Sequence, residues 1–409
     1  MLLIHAKGVY DNETRSLIGD SLLVDVDRIV GIGMFADLKE HVDTKTELYH
    51  LEDLYLFPGL INTHVHLEFD STTSARVHYI SQPPQVRMGR ALAQAQTMLL
   101  SGVTTVRDAG SSWEMLDITD SSLAALYKLP RLQLCGPPIT VTGGHLNFME
   151  CEADSHEELV TSVRLHQKRG CSAIKMMVTG GQMTPGSLPE RVSYSPEDIS
   201  VLVDESKRLG LPTVAHCLTT DGFINCMEGN IDSIEHCACF VRNQSNRLLE
   251  RIYEPKIMEQ YRGQSRFFMN GLAASYHTFD RVRAGIDKPN ESQIFWLEQE
   301  ERMFAIFRKL IELGMKPVVG TDAGVSNTYF DETWLELELM CSRGGQSEAD
   351  VIDIATVNGA TCLGMEQEVG KLKVGYKADV IGLVDNPLEN IAAFRHVPWI
   401  MRDGIIVKG

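Results

Sequence analysis

Two histidines separated by one residue, His64-Val65-His66, stand at the end of the apolar run PGLINTHVH. Side chains two apart on a strand share a face, so both imidazoles can point at one ion. Three more residues of ligating type occupy the same kind of position: His216 closes LPTVAHC, His236 closes SIEHC and Asp322 closes PVVGTD. Each stands where an apolar strand yields to a loop. Converged, they would give borderline nitrogen and oxygen ligation suited to Zn2+, a donor set also open to Mn2+, Fe2+ or Co2+.

Lys175 lies inside the apolar run SAIKMMVTGG, where a free ammonium is expensive to desolvate. One reading is a lysine that snorkels to a strand end or pairs with an acid. The other is conversion by carbon dioxide to a carbamate, an anion able to bridge two cations. Loops supply further candidates. His145 follows a glycine pair in VTGGHLNFM, where a histidine is as readily a surface residue as a functional one. Tyr194 in RVSYSP, with Asn270, His277, Arg281 and Arg283 further on, could line an entrance. The arginines could hold a carboxylate bidentately, against the blander reading of a solvated basic face. Asp221 and neighbouring acids, should they face the pocket, would favour a cationic group on the substrate. Asp108, ending VTTVRDAG, reads first as a loop cap or a partner of Arg107 and second as a residue of the site. Strand alternation turns Glu235 away from its neighbour His236.

For such scattered residues to meet, the chain needs elements whose ends share one mouth. Eight compact apolar runs follow one another: LYLFPGLINTHVH, GVTTVRDAG, RLQLCG, CSAIKMMVTGG, LPTVAHC, SIEHC, RFFMNGLA and KPVVGTDAG. Segments of helical spacing lie between them, among them MGRALAQAQTMLLS, SPEDISVLVDESKRLG and ESQIFWLEQEERMFAIFRKLIELG, several opened by Ser or Pro. Eight alternations point to an α/β fold, a closed (β/α)8 TIM barrel with its functional groups at the C-terminal strand ends. A doubly wound open sheet is the alternative, but no glycine-rich dinucleotide fingerprint follows an early strand, and TGGQMTPG reads as a turn after the fourth. The first fifty residues read as short antiparallel strands, and GKLKVGYKADVIGLV with GIIVKG supplies others near the end. Residues 1–54 and 368–409 are therefore expected to form one composite β-sandwich domain around a barrel spanning 55–367.

Bulk properties narrow the partners. A net charge of −17 over 409 residues argues against nucleic acid, which asks for a basic face. No apolar run reaches the ~18 residues of a membrane span, and the first twenty residues have no secretory-signal pattern, so the cytoplasm is the expected compartment. Nine cysteines without a CxxC pair read as buried thiols in a reducing compartment rather than as a disulfide frame or zinc knot.

The quoted segments, with ATVNGA and GKLKVGYKADVIGL, resemble the amidohydrolase superfamily across nearly the whole chain. The likeness is to its imidazolonepropionase-like and Xaa-Pro dipeptidase or arginine-carboxypeptidase-like branch; Lys175, VTGGH and the short His216 to His236 spacing carry the branch. The resemblance implies two divalent metal ions, Zn2+ by preference. His64, His66 and Asp322 would hold the more buried ion and His216 and His236 the second, with carboxylated Lys175 bridging. Asp322 would also take a proton from the attacking water and pass it to the leaving amine, and His145 would reach the substrate carbonyl or carboxylate. The implied reaction is cleavage of an amide bond in a dipeptide or N-acyl amino acid. Departures limit the specificity: AHCLTTDGF replaces the AHAYTP of prolidase-like relatives and the AHAHG of arginine-carboxypeptidase-like ones, and VTGGHLNF lacks the usual glycine after the histidine. Hydrolysis of a cyclic amide, lactone or carbamate is the first alternative. Heterocycle deamination follows, although no glutamate stands near the strand-five histidine. A barrel that only binds comes last. A homo-oligomer is compatible with apolar helical faces.

Overall fold

Apolar runs bounded by loops become short parallel strands. In the computed structural model, which describes residues 1–119, 126–274 and 276–409, these are β1 (Leu60–Val65), β2 (Val103–Asp108), β3 (Arg131–Leu134), β4 (Ile174–Met177), β5 (Thr213–Cys217), β6 (Ser233–His236), β7 (Phe267–Met269) and β8 (Lys316–Pro317). β1 to β3 form one parallel arc and β4 to β8 another, each in chain order. Parallel bridges join the arcs, Ile139 to Met176 on one side and Val65 to Ala323 on the other. The ring is the (β/α)8 barrel expected from the alternation. β1, β2, β4 and β5 are buried at every position, as strands covered on both faces must be.

The helices between them start where their caps dictate. Pro196–Arg208 and Glu291–Glu312 open with reciprocal side-chain and backbone bonds, from Ser195 with Asp198 and from Asn290 with Gln293. Pro84–Leu100 begins on a proline that has no N–H to leave unpaired. Its inward face, Ala91, Leu92, Ala95, Met98 and Leu99, follows helical spacing and packs on the barrel wall.

Both chain ends enter a second, eight-stranded sheet, the small β-sandwich. Its central strand, Glu47–Pro58, pairs with Leu2–Asp11 on one side and Val380–Leu383 on the other. The pairing with Leu2–Asp11 is parallel, whereas the opening residues read as antiparallel throughout. The contacts of Leu2–Asp11 with Ser21–Asp25 and Ser16–Leu17, and of Ser21–Asp25 with Arg28–Gly33, follow that expectation. A parallel partner requires a long crossover, here supplied by the hairpin of Ser21–Asp25 with Arg28–Gly33. The sheet keeps its own core, drawn from both ends, including Ile4, Leu22, Ile29, Leu56, Val380 and Trp399. It runs into the barrel through Gly59, where a Cβ would lie 2.2 Å from the Thr104 hydroxyl. The nine cysteines are free thiols, eight of them buried and Cys341 partly so. No helix among the described residues is long and apolar enough to cross a membrane.

Candidate metal centre at the barrel mouth

Backbone pairing builds the centre before any side chain does. The end of β1 runs beside the segment after β8, with Thr63 N donating to Val319 O at 2.8 Å, Asp322 N to His64 O at 2.9 Å and His66 N to Ala323 O at 2.8 Å. That register sets His64, His66 and Asp322 side by side. The Nε2 atoms of both histidines lie 3.4 Å from Asp322 Oδ1. In β4 and β5, Val214 pairs with Lys175 and His216 with Met177; in β5 and β6, His216 pairs with Glu235 and Cys217 with His236. The rings of His64 and His236 are 5.2 Å apart, and those of His216 and His236 are 4.7 Å apart.

Hydrogen bonding settles which nitrogen faces the centre. His66 Nδ1 lies 3.1 Å from the Gly110 carbonyl, which can only accept, so a proton sits there and Nε2, 3.4 Å from Asp322 Oδ1, is the nitrogen left to face the centre. His64 Nδ1 is held by the Glu235 carboxylate, and its buried Nε2 has no hydrogen-bond partner. Neutral imidazole with carboxylate is the donor set of divalent zinc-like ions, and a cation bound among these atoms would displace the protons that otherwise hold Nε2 and Asp322 together. Burial pushes His236 down to about 3 and His216 well below the ordinary imidazole range, which keeps both in the ligating form. For His66, burial works in the same direction but Asp322 and Asp108 outweigh it. Burial would lift Asp322, yet His64 and His66 hold it well below the usual carboxylate range. His64, His236 and Asp322 each bring a ligand atom within 4.8 Å of the others.

Lys175 Nζ is buried without any hydrogen-bond partner, and burial lowers its pKa. A neutral amine is the form that adds carbon dioxide, so the residue fits a carbamate as well as the histidines fit a metal.

Two left-handed residues complete the mouth. Asp322 has φ +60° and His236 φ +70°, conformations that are uncommon outside glycine and concentrate at functional sites. The turn at His236 explains Glu235. Alternation sets the two on opposite faces, but the backbone leaves the strand at His236, so both reach the interior. Glu235 is fully buried, bonds His64, accepts from the Ser233 hydroxyl at 2.6 Å and lies 3.5 Å from Arg107. Burial would raise its pKa, but His64 and Arg107 hold it well below the carboxylate range. Alternation alone conceals this residue; a buried histidine pair needing an orienting acid is the signal that could have raised it.

A cavity of about 810 Å³ opens above the centre, lined by His64, His66, Lys175, His216, His236 and Asp322, and by His145 and Asn270. The ring of His145 stands 4.7 Å from that of His216, with Thr184 Oγ1 3.3 Å from its Nδ1. It occupies the space left by Gly181, whose Cβ would fall 2.4 Å from the imidazole. Asn270 donates to the His236 carbonyl at 2.7 Å. Other residues singled out by sequence lie elsewhere. Tyr194 donates to Ala153 O at 2.8 Å, and Asp221 is exposed in the first turn of the helix capped by Thr219. His277 is held by Asp280 and by Glu332 at 2.7 Å, Arg281 by Asp287, and Arg283 by Glu300. None of these five lines the cavity. Asp108 accepts from Leu67 N and Gly110 N, a loop cap, while Arg107 turns to Thr63 O at 2.8 Å. Another donor group, His5, His50 and Glu52, belongs to the terminal sheet, where His5 and His50 are register partners.

Comparison with known proteins agrees with this geometry. The model of the Amidohydrolase family matches residues 55–397. The chain is 26% identical to an ochratoxinase of Aspergillus niger, over 95% of this chain and 83% of that protein. It is 28% identical to an imidazolonepropionase of Brevibacillus brevis, over 98% and 92%. Among solved structures, a Xaa-Pro dipeptidase with methionine bound in its active site superposes with a TM-score of 0.81 at 24% identity, covering all of both chains. At that identity the likeness shows the fold.

Proposed function

The chain belongs to the amidohydrolase family, and from that premise we propose that it holds two divalent metal ions, Zn2+ by preference, and cleaves the amide bond of a dipeptide or N-acyl amino acid. His64, His66 and Asp322 would hold one ion, His216 and His236 the other, with Lys175 bridging as its carbamate. The carbamate forms when Nζ adds to the carbon of carbon dioxide, making an N–C bond and releasing one proton. When bound, such ions acidify water and polarise a carbonyl. The remaining work falls to side chains. Asp322 accepts the proton of the attacking water and returns it to the leaving nitrogen, so that the amine departs neutral. His145, kept neutral by burial that pulls it down to about 3, donates a hydrogen bond to the substrate carbonyl. Glu235 holds His64 in one tautomer.

The observation that carries this reading is the buried Lys175 amine, without a hydrogen-bond partner, in one cavity with the unpartnered Nε2 of His64 and the ligand atoms that His236 and Asp322 bring beside it. Likeness to an imidazolonepropionase supports a second reading, hydrolysis of a cyclic amide. The test is a panel of N-acyl amino acids, dipeptides and cyclic amides, run with enzyme reconstituted with metal and bicarbonate. Turnover of linear amides that disappears on chelation, with about two ions bound per chain, is the expected result. Turnover of cyclic amides alone would favour the second reading, and metal-free native protein without hydrolase activity would overturn both.

A further inference from the structure

After β6 the chain makes a hairpin, Phe240–Arg242 with Leu249–Arg251, that overhangs the cavity. Phe240 and Arg251 are register partners, and the Arg251 guanidinium lies over the Phe240 ring, 4.6 Å from its centre. Arg251 N donates to the buried Gln299 Oε1 at 2.6 Å, tying the hairpin to the helix Glu291–Glu312. Nη1 donates to Ala238 O at 3.3 Å. Nε is buried with no partner, and among the described residues no carboxylate forms an ion pair with this guanidinium.

The other ionisable groups of the lining leave Arg251 without an internal counter-ion. Asp322 belongs to the metal centre. Glu300 acts on Arg251 through space, but its oxygens are taken by Arg283 at 2.5 Å and Arg343 at 3.0 Å. Burial pulls the Arg251 guanidinium down to about 10, still charged at neutral pH. A protein of net charge −17 therefore keeps a preorganised cation, ion-paired with no carboxylate among the described residues, in the lining of its reaction cavity. A desolvated guanidinium with a free N–H is a strong receptor for a carboxylate. Arg76, the other arginine of the lining, stands over Phe148 at 5.3 Å and its Nε is likewise buried without a partner; it lacks the two anchoring bonds to Gln299 and Ala238 that hold Arg251 in place and serves as the comparison.

We propose that Arg251 is the specificity-determining residue that binds the carboxylate of the substrate, making the enzyme selective for acyl amino acids and peptides with a free carboxylate over their neutral counterparts. This rests on the reaction proposed above but is tested separately from it. The probes are hippurate and N-methylbenzamide, which differ only by the carboxylate, measured for binding to the metal-loaded full chain. The variants are Arg251→Met, Arg251→Lys and Arg76→Met. Expected is a hippurate Kd raised about 30- to 100-fold in Arg251→Met, the loss typical of a charged hydrogen bond. N-Methylbenzamide should keep its affinity within about 3-fold, and Arg76→Met should bind hippurate nearly as the wild type does. If Arg251→Met does not fold, Arg251→Lys carries the test, with a loss of about 10-fold for hippurate alone, because an ammonium lacks the planar fork. Hippurate that fails to bind wild type, binds equally to the variants, or is lost only in Arg76→Met overturns the assignment. Binding through Arg251 without turnover of any N-acyl amino acid would instead refute the proposed reaction and leave this inference standing.

Discussion

Glu235 Oε2 accepts a hydrogen bond from Nδ1 of His64, and both side chains are fully buried. The pair fixes the imidazole as the tautomer with its lone pair on Nε2, while the second carboxylate oxygen faces Ser233 and Arg107. Glu235→Gln keeps the shape but presents an amide N–H to one of these donors. Metal affinity should fall about 10- to 100-fold, as for other orienting partners of metal histidines. Glu235→Ala should in addition lose at least about 3 kcal/mol of stability, because Arg107 is left as a buried charge without an anion. Metal titration against a competing chelator and thermal unfolding separate the two effects.

Replacing Lys175 by Ala removes the one amine in the centre able to carry a carbamate. Metal content should drop below about two ions per chain and kcat/KM by about 100-fold or more. With 13C-bicarbonate, the wild-type enzyme should show a carbamate carbon resonance by NMR that is absent from Lys175→Ala. A fully active variant with unchanged metal content would contradict the assignment.

Gly181 gives His145 its place, so Gly181→Ala should push the ring aside without disturbing the barrel. Activity should fall about 10- to 100-fold, the scale of loss when a catalytic contact is misplaced by about an ångström. The melting temperature should move little. A drop no larger in Gly181→Ala than in a distant surface variant would separate His145 from the reaction.

Glu336, in the helix Thr333–Ser342, accepts from Leu272 N at 2.9 Å and Ala273 N at 2.7 Å, just beyond β7. Burial pushes its carboxyl from 4.5 up to about 7, the two backbone bonds offsetting only part of the lost hydration. The folded state therefore binds this proton more tightly than the unfolded chain does. Native stability falls as pH rises from about 4.5 through 7, and the loss is complete above that, roughly 3 kcal/mol in all. The difference in unfolding free energy between wild type and Glu336→Gln should shrink by about this amount from pH 4.5 to 8. Denaturant titrations at several pH values would measure it, and a difference independent of pH would be incompatible with this account.

The barrel and the convergence of His64, His66, His216, His236 and Asp322 were legible because each ends a run whose apolar character is local. Glu235 was not, since strand alternation holds only while φ stays negative, and the left-handed turn at His236 depends on the loop beyond. Arg251 lies in a polar stretch with no motif. Only the stacking on Phe240 and the anchor to Gln299, forty-eight residues away, mark it out. Tyr194 and His277 carry the right chemistry for an entrance, but near neighbours already occupy their polar atoms. The parallel pairing of Leu2–Asp11 with Glu47–Pro58 hides behind a hairpin that reads, locally, as antiparallel.

The strand Glu47–Pro58 needs Val380–Leu383 as a neighbour, and that partner in turn pairs with Trp399–Arg402. During translation the early strands leave the ribosome long before their partners exist, and one edge stays open while the intervening barrel is made. Pairings so remote along the chain form slowly, and an open edge invites other chains. Nascent protein should thus depend on chaperone shielding until Val380–Leu383 and Trp399–Arg402 emerge, and a version lacking these two strands should aggregate even though every group of the reaction centre is present.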